Sequence, residues 1–454
     1  MRRAIEAWPS AAAVLLAAGV ALVAVAAPIQ VALVLIGLLV AVIARRRPLV
    51  MVLVVILVPT LSLLRRVVAG ASGYTESDPL ILLPLILTLG VVVVSWGQPR
   101  VSGGARGTKA FAVTVVLGVL ASVLLTSSFT VDALFFAGLI VIPLLFAIAT
   151  STGRMPLVWG YAMHVLPALG AIVGTYGLYQ FFVLPDWDRA WMRTSQLTSI
   201  GHPEPLEVRV FGMSESPGPY ALFLGLVIVL CLAAAVTTTR WASRVGWIAL
   251  GGYVAYPLLL SGVRSTLVGV GVCAVVLILV RARGLARILL LGFLAGAWVL
   301  LTTVVNRFSA SSTILTSDRY TEFSTDDDSF VARIDLLSSV GNPFRYIVGN
   351  PAARAVDNLF VDVLLRYGLV AAIGMLLLIC GIVILALRQL VAKRNEVAAL
   401  CAIFIATQVI FGPTFNSLFG ILVGVVFGTV MAVPLAIQKD LTATTTLAPA
   451  TAGR

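Results

Sequence analysis

Twelve arginines, all on one predicted side of the chain together with the two longest polar stretches, are the residues best suited to chemistry. No lysine is among them. A guanidinium group presents a planar fork of N–H donors that matches the oxygen atoms of a phosphate or a carboxylate. The set therefore predicts a site for a phosphorylated or acidic ligand. Its members are Arg65, Arg66, Arg189, Arg193, Arg209, Arg264, Arg307, Arg319, Arg333, Arg345, Arg354 and Arg366.

Arg264 is the most informative member, because it lies between two apolar runs, three residues after Ser261. An unpaired charge is costly inside a membrane. One interpretation is an arginine whose head group reaches the membrane interface along its apolar stem. The other, which we favour, is a charge that faces a polar cavity.

Arg209 and Asp357 each stand just before an apolar run. Glycine and proline residues follow Arg209, among them Gly212 and Pro217, and the N-terminus of a helix near an arginine can hold an anion. A plain junction between a loop and a span explains the pattern equally well. Asp357 is suited to cap the helix that follows it. It is also suited to act as a base that accepts a hydroxyl proton, and the two roles are compatible.

The elements that position these residues are membrane spans. Hydrophobic residues make up 60% of the 454 residues and charged residues only 11%, whereas soluble domains are usually about 25% charged. We predict an all-α, polytopic transmembrane helical bundle of about 14 spans (range 12–14), each about 20 residues long. Residues 245–263 and 265–281 form either two spans or one broken or re-entrant segment. The spans are placed near 9–27, 29–44, 48–68, 79–97, 110–127, 131–149, 157–184, 218–237, 245–263, 265–281, 287–305, 358–387, 397–412 and 415–437.

The basic residues that flank the spans predict the orientation. One side collects 19 of the 31 basic residues and 3 of the 19 acidic ones, and such a side faces the cytoplasm. Both termini are then cytoplasmic. The parts are N-terminal spans (1–184), a first extracytoplasmic loop (185–217), central spans (218–305), a large and partly helical extracytoplasmic loop (306–357), C-terminal spans (358–440) and a disordered cytoplasmic tail (441–454).

The positive charge and the cysteines each exclude a class of function. The net charge of +12 is largely the orientation signal, so we predict no nucleic-acid partner. The four cysteines lie in apolar runs without the spacing of a zinc site, and we predict neither a metal nor a cofactor.

Several short motifs, in this order, resemble those of the bacterial O-antigen ligase and O-antigen polymerase superfamily. The resemblance covers about residues 200–375, and the early spans match only as generic hydrophobic helices. The motifs are Arg209 with Gly212, Ser261 with Arg264, Arg333 with Asp335, Gly349 with Asn350, and Asp357 with Asn358 and Gly368.

The resemblance implies a membrane glycosyltransferase of the envelope that polymerises or ligates cell-surface polysaccharide. Such an enzyme transfers a glycan from undecaprenyl diphosphate to an acceptor hydroxyl, at the outer face of the bacterial inner membrane. It is metal-independent and inverting, and arginine charge balances the departing diphosphate. Its partners are the lipid-linked donor, a glycan or lipid acceptor, membrane lipid and polysaccharide-assembly proteins.

The resemblance also assigns residues. Asp357 and Arg264 are the catalytic candidates, and Arg209, Arg264 and Arg333 would hold the diphosphate. The ligases typically carry histidine before the asparagine, where this chain has Asp357, which favours a polymerase or a related glycan ligase. The supporting residues are Asn358, Gly349, Arg354 and Arg366.

The main alternative is a lipid-linked oligosaccharide flippase or polysaccharide transporter. Those proteins have short loops and carry charges inside the bundle, whereas the loops here are about 33 and 51 residues long, and long loops in a compact domain are usually functional. This favours an enzyme. A polyprenyl-phosphate-sugar glycosyltransferase and a non-catalytic assembly subunit are further alternatives.

Overall fold

A computed structural model describes residues 50–70, 106–126, 131–151, 155–195, 200–290, 343–351, 359–411 and 426–431, and isolated positions between 291 and 300. The described residues are almost entirely helical and contain no strand, apart from an isolated bridge between Gly201 and Val208. The prediction of an all-α protein is confirmed for them. A short 3-10 helix, Pro343–Tyr346, lies before the helix that begins at Leu359. The described helices of nine residues or more are α1 (Val50–Ala69), α2 (Arg106–Leu125), α3 (Val131–Thr150), α4 (Met155–Val183), α5 (Asp186–Thr194), α6 (Pro217–Thr237), α7 (Trp241–Leu260), α8 (Arg264–Arg281), α9 (Leu359–Val391) and α10 (Glu396–Phe411).

Among the described residues, five helices are long and apolar enough to cross a membrane. A bilayer core about 30 Å thick needs about 20 apolar residues in a helix, because only such a segment satisfies its own backbone hydrogen bonds in lipid. The chain therefore has the character of a helical membrane protein. The five segments are Gly107–Leu125, Val165–Val183, Pro217–Thr237, Arg264–Arg281 and Leu359–Val391.

Helix α6 is the centre of the bundle. It is apolar on all sides, and most of its residues, from Tyr220 to Ala235, are buried, as expected of a helix enclosed by others. It packs against α4, α7, α8 and α10. The segments that flank α6 in sequence are thus brought close to the ends of several other helices.

Helices α2 and α9 form the most extensive pair. Their backbones approach closely where small residues meet. A Cβ added to Gly118 of α2 would lie 3.0 Å from the backbone of Ala371 on α9. Close packing of small residues is a main source of attraction between helices in lipid.

Several side-chain contacts join the ends of different helices. Gln408 of α10 donates to the carbonyl oxygen of Ser265 on α8 at 3.1 Å. At the other end of this helix pair, Arg281 forms an ion pair with Glu396.

Helix α9 is broken at Gly368, where the backbone has φ 84° and ψ 179°. The sequence predicts a single span over 358–387, so the break is a difference from that expectation. At the break, two carbonyl oxygens of α9 accept hydrogen bonds from groups outside the helix. The carbonyl oxygen of Leu365 accepts from the amide of Asn350 at 2.8 Å, and that of Arg366 accepts from the Ser122 hydroxyl at 3.1 Å.

Candidate anion-binding site

Four of the site residues predicted from the sequence are described in the structure: Arg209, Arg264, Gly349 and Arg366. The other four, Arg333, Arg354, Asp357 and Asn358, lie outside the described residues. Their predicted roles remain predictions.

The turn of residues 261–263 connects α7 to α8 and determines where Arg264 stands. Gly262 has φ +66°, a conformation that glycine adopts without steric cost. The hydroxyl and the amide of Ser261 both donate to the carbonyl oxygen of Leu258, at 2.6 and 3.1 Å, and so end α7 with polar contacts of its own last turn. Arg264 is the first residue of α8, and its side chain is half-buried.

Arg209 binds this same turn from the first loop. Its Nε donates to the carbonyl oxygen of Ser261 at 3.2 Å, and its Nη2 donates to that of Gly262 at 3.3 Å. The amide of the next residue, Val210, donates to the carbonyl oxygen of Leu260 at 3.1 Å. The turn therefore brings two of the predicted diphosphate ligands, Arg209 and Arg264, to one place.

The electrostatic character of this place is positive. The first amides of a helix have no partner within the helix, and they carry the positive end of its dipole. Helix α8 begins at Arg264, and the half-buried guanidinium of Arg209 lies at the turn just before it. A helix N-terminus together with arginine side chains is suited to an anion with several oxygen atoms.

A second cluster fixes the first loop to α1. Arg66 and Asp188 form an ion pair in which both side chains are fully buried, with Arg66 Nε 2.9 Å from Asp188 Oδ1. Arg66 also donates to the carbonyl oxygens of Ser214, at 2.6 Å, and Gly212. The ion pair and these two hydrogen bonds offset part of the cost of burying the guanidinium group.

The second oxygen of Asp188 is held by α4. Gln180 Nε2 donates to Asp188 Oδ2 at 2.7 Å, and the Tyr176 hydroxyl donates to the same atom at 2.9 Å. Burial raises the pKa of the Asp188 carboxyl, whereas Arg66, Gln180 and Tyr176 act in the opposite direction. The cation and the two hydrogen bonds thus favour the charged form of a carboxyl group that burial disfavours.

Arg65, the neighbour of Arg66, also reaches the first loop. It pairs with Glu215 at 2.8 Å, and its guanidinium carbon lies 5.5 Å from the ring centroid of Trp191. Both arginines were predicted as members of an anion-binding set. In the structure they are buried and bind groups of the chain itself, so they are structural cations.

Arg366 has a comparable environment inside α9. Its Nε lies 2.9 Å from Asp362 Oδ1, one helical turn earlier, and both side chains are buried. Its guanidinium carbon is 4.1 Å from the ring centroid of Phe136. Because Arg366 precedes the break at Gly368, we interpret its supporting role as one of holding the broken helix.

Gly349 packs directly on that break. It has φ +78°, and a Cβ added to it would lie 2.5 Å from both the carbonyl oxygen of Arg366 and the amide nitrogen of Gly368. Only a residue without a side chain allows the two backbones to come this close. The structure therefore gives Gly349 a steric role, at the point where the end of the large loop meets α9.

Tyr176, Gln180 and Asp188 were not predicted from the sequence as members of a site. A signal was present, because Tyr176 and Gln180 are polar residues four apart near the end of the apolar run 157–184, and residues with this spacing share one face of a helix. Their partner Asp188 follows within the first loop. No group of His, Cys, Asp and Glu among the described residues is arranged to hold a metal ion.

The described residues define the class of the protein: it is all-helical, and several of its helices are suited to a membrane. Two half-buried arginines, Arg209 and Arg264, lie at the start of one of these helices. The chain matches no model of a known protein family, and no curated protein matches it.

Proposed function

We propose that the protein is a membrane glycosyltransferase that polymerises or ligates cell-surface polysaccharide. The donor is a glycan on a polyprenyl diphosphate, and the acceptor is a hydroxyl group at the outer face of a bacterial inner membrane. Arg209 and Arg264 hold the diphosphate, and Arg333 of the large loop contributes a third cation. Asp357 acts as the base.

The observation that carries this proposal is the meeting of Arg209 and Arg264 at the 261–263 turn. The two arginines are 55 positions apart in sequence, yet Arg209 donates to the carbonyl oxygens of Ser261 and Gly262, just before Arg264 begins α8. Both side chains are half-buried, so the site is neither fully exposed to solvent nor fully enclosed by the protein. A diphosphate has the charge and the number of oxygen atoms that such a site favours.

In the proposed reaction, negative charge develops on the departing diphosphate. The acceptor oxygen attacks the anomeric carbon as the bond from that carbon to the diphosphate oxygen breaks, so the configuration inverts. The acceptor proton passes to the Asp357 carboxylate. The departing diphosphate takes the bonding electron pair, and the two guanidinium groups stabilise its increasing negative charge. Arg264, at the start of α8, adds the helix dipole to its own charge.

The rival function is transport of a lipid-linked oligosaccharide across the membrane. A transporter carries its charges along a path through the bundle. Among the described residues, the buried arginines Arg65, Arg66 and Arg366 are each paired with an acid. The Arg209 site lies at helix ends. This arrangement favours the enzyme.

A reconstituted assay separates the two functions. Wild type, Arg264→Ala and Asp357→Ala are placed in vesicles with polyprenyl-diphosphate-linked glycans extracted from cells that make the protein. We expect wild type to form longer or acceptor-linked glycan, and each variant to be slower by about 100-fold or more. Arg287→Ala is the control, because Arg287 caps the end of α8 by donating to Leu279 and Ala282.

Two outcomes would count against the proposal. Equal turnover by wild type and both variants would remove the proposed site. Movement of the donor across the vesicle membrane, without any new glycosidic bond, would favour the transporter.

A further inference from the structure

The segment that carries Arg209 is held from two sides. Residues 208–214 are all buried except Arg209, which is half-buried. On one side, the segment contacts the 261–263 turn through Arg209 and the amide of Val210. On the other side, it contacts α1 and α4. Arg209 is therefore the only residue of 208–214 that is partly exposed. The direction of its side chain depends on both sets of contacts.

The contacts from α1 and α4 are made to the backbone of the segment. Gln180 Oε1 accepts from the amides of Phe211, at 2.9 Å, and Gly212, at 2.8 Å. Arg66 donates to the carbonyl oxygens of Gly212 and Ser214. Four backbone groups within four residues are thus fixed by two side chains. We refer to Arg66, Gln180 and Asp188 as the loop clamp.

The members of the loop clamp also hold one another. Asp188 accepts from Gln180 and pairs with Arg66. The guanidinium carbon of Arg66 lies 4.7 Å from the ring centroid of Phe211, which belongs to the clamped segment itself. Side chains that are fully buried and engaged in this way have few alternative rotamers, so they position the backbone that they bind with little freedom.

We propose that Arg66 is a positioning residue for the Arg209 anion site. Arg66 is buried against groups of the chain, and it acts through the clamped backbone, three residues after Arg209. This inference rests on the proposed function of Arg209 as a ligand of the diphosphate. It assigns the loop clamp the task of holding the guanidinium of Arg209 beside the start of α8, in the geometry that two-point binding of an anion requires.

Lysine cannot replace Arg66 in this role. The guanidinium of Arg66 reaches three separate acceptors, on Asp188, Gly212 and Ser214. A lysine ammonium is a compact point charge on a flexible stem, without the planar fork that spans such a set. Arg66→Lys therefore keeps the charge opposite Asp188 and loosens the grip on the backbone. This substitution separates positioning from simple charge balance.

The test is a double-mutant cycle read by the binding of inorganic pyrophosphate. Calorimetric titration is performed on the purified full-length protein in detergent: wild type, Arg66→Lys, Arg209→Gln and the double variant. We expect Arg66→Lys to weaken binding about tenfold, and Arg209→Gln to weaken it at least as much. We expect the double variant to bind like Arg209→Gln, within about twofold, because Arg66 acts only through Arg209.

A residue that merely stabilises the fold would give a different result. General loosening weakens binding by the same factor whether or not Arg209 is present, so equal factors in the two backgrounds would overturn the proposal. Arg281→Lys is the matched control. It alters an ion pair with Glu396 on α8 and α10, and it is expected to lower the melting temperature with no change in pyrophosphate affinity.

The remaining outcomes separate the inference from the function on which it rests. Normal binding by Arg66→Lys together with weak binding by Arg209→Gln would overturn the positioning role and leave the proposed site standing. Binding by Arg209→Gln equal to wild type, or no binding by wild type, would remove the diphosphate site itself. Should Arg66→Lys not fold, Gln180→Leu takes its place in the same cycle, since it removes the acceptor for the amides of Phe211 and Gly212.

Discussion

Gly262 packs against the guanidinium of Arg209, because a Cβ added to Gly262 would lie 3.1 Å from Arg209 Nε. The glycine also has φ +66°. One residue thus allows both the turn before α8 and the close approach of the arginine from the first loop.

Gly262→Ala is therefore expected to weaken pyrophosphate binding. The substitution strains the turn by about 1–3 kcal/mol and displaces the Arg209 side chain. Gly284→Ala is a matched control, because Gly284 has φ +55° and a Cβ there would meet nothing within 4 Å. Titration of both variants with pyrophosphate separates the effects. An equal loss of affinity in the two would show that backbone strain, and not contact with Arg209, is the cause.

Gly349→Ala is expected to destabilise the protein. The new Cβ would collide with the backbone at the break in α9, and the positive φ adds strain, for a total of about 1–3 kcal/mol. The measurement is the melting temperature of the purified protein in detergent. Gly252→Ala, on an exposed face of α7 with open space around it, is expected to be neutral or slightly stabilising. A wild-type melting temperature for Gly349→Ala would contradict the packing of Gly349 on Gly368.

Asp188→Ala is expected to be one of the most destabilising substitutions in the first loop. It leaves the fully buried guanidinium of Arg66 without its anion, which costs about 3–5 kcal/mol. Asp186→Ala removes the carboxylate that pairs with Arg189 on the exposed side of α5, and surface pairs of this kind contribute little. Melting temperatures of the two variants are compared, and similar values would mean that the buried pair does not anchor the loop.

Arg366→Met and the double variant Asp362→Leu/Arg366→Met test whether Arg366 is structural. The single substitution leaves the Asp362 carboxylate without its buried cation and is expected to destabilise by about 3–5 kcal/mol. Apolar replacement of both partners is expected to recover a large part of that loss. Pyrophosphate affinity of the double variant is expected to equal that of wild type. A specific loss of affinity in a stable double variant would place Arg366 among the ligands of the anion.

Local sequence patterns located two of the described membrane-type helices closely. The span predicted at 218–237 is α6 at Pro217–Thr237, and that at 265–281 is α8 at Arg264–Arg281. The agreement has a physical cause, because a run of about 20 apolar residues satisfies its backbone only as a helix. Arg264 was singled out because a charge between two apolar runs is unusual, and Arg209 because glycine and proline residues follow it just before a span.

The loop clamp and the break in α9 could not be predicted from such local patterns. Arg66 and Asp188 are 122 positions apart, and nothing local in either segment indicates the other. The amide of Asn350 replaces a hydrogen bond within α9, so the break at Gly368 depends on a docking event from the loop before it. Contacts of this kind follow from tertiary packing. The sequence shows the polar residues that take part, but it does not show which of them meet.

The role of the two arginines is measured most directly by the release of polyprenyl diphosphate from a lipid-linked glycan donor. The purified protein is assayed in the presence of EDTA. The comparison is between wild type, the double variant Arg209→Gln/Arg264→Gln and the control Arg287→Gln. We expect turnover by wild type and by the control, and a loss of about 100-fold or more in the double variant, because the two arginines stabilise the negative charge of the departing diphosphate. Equal release by the double variant and wild type would contradict this role of the two arginines.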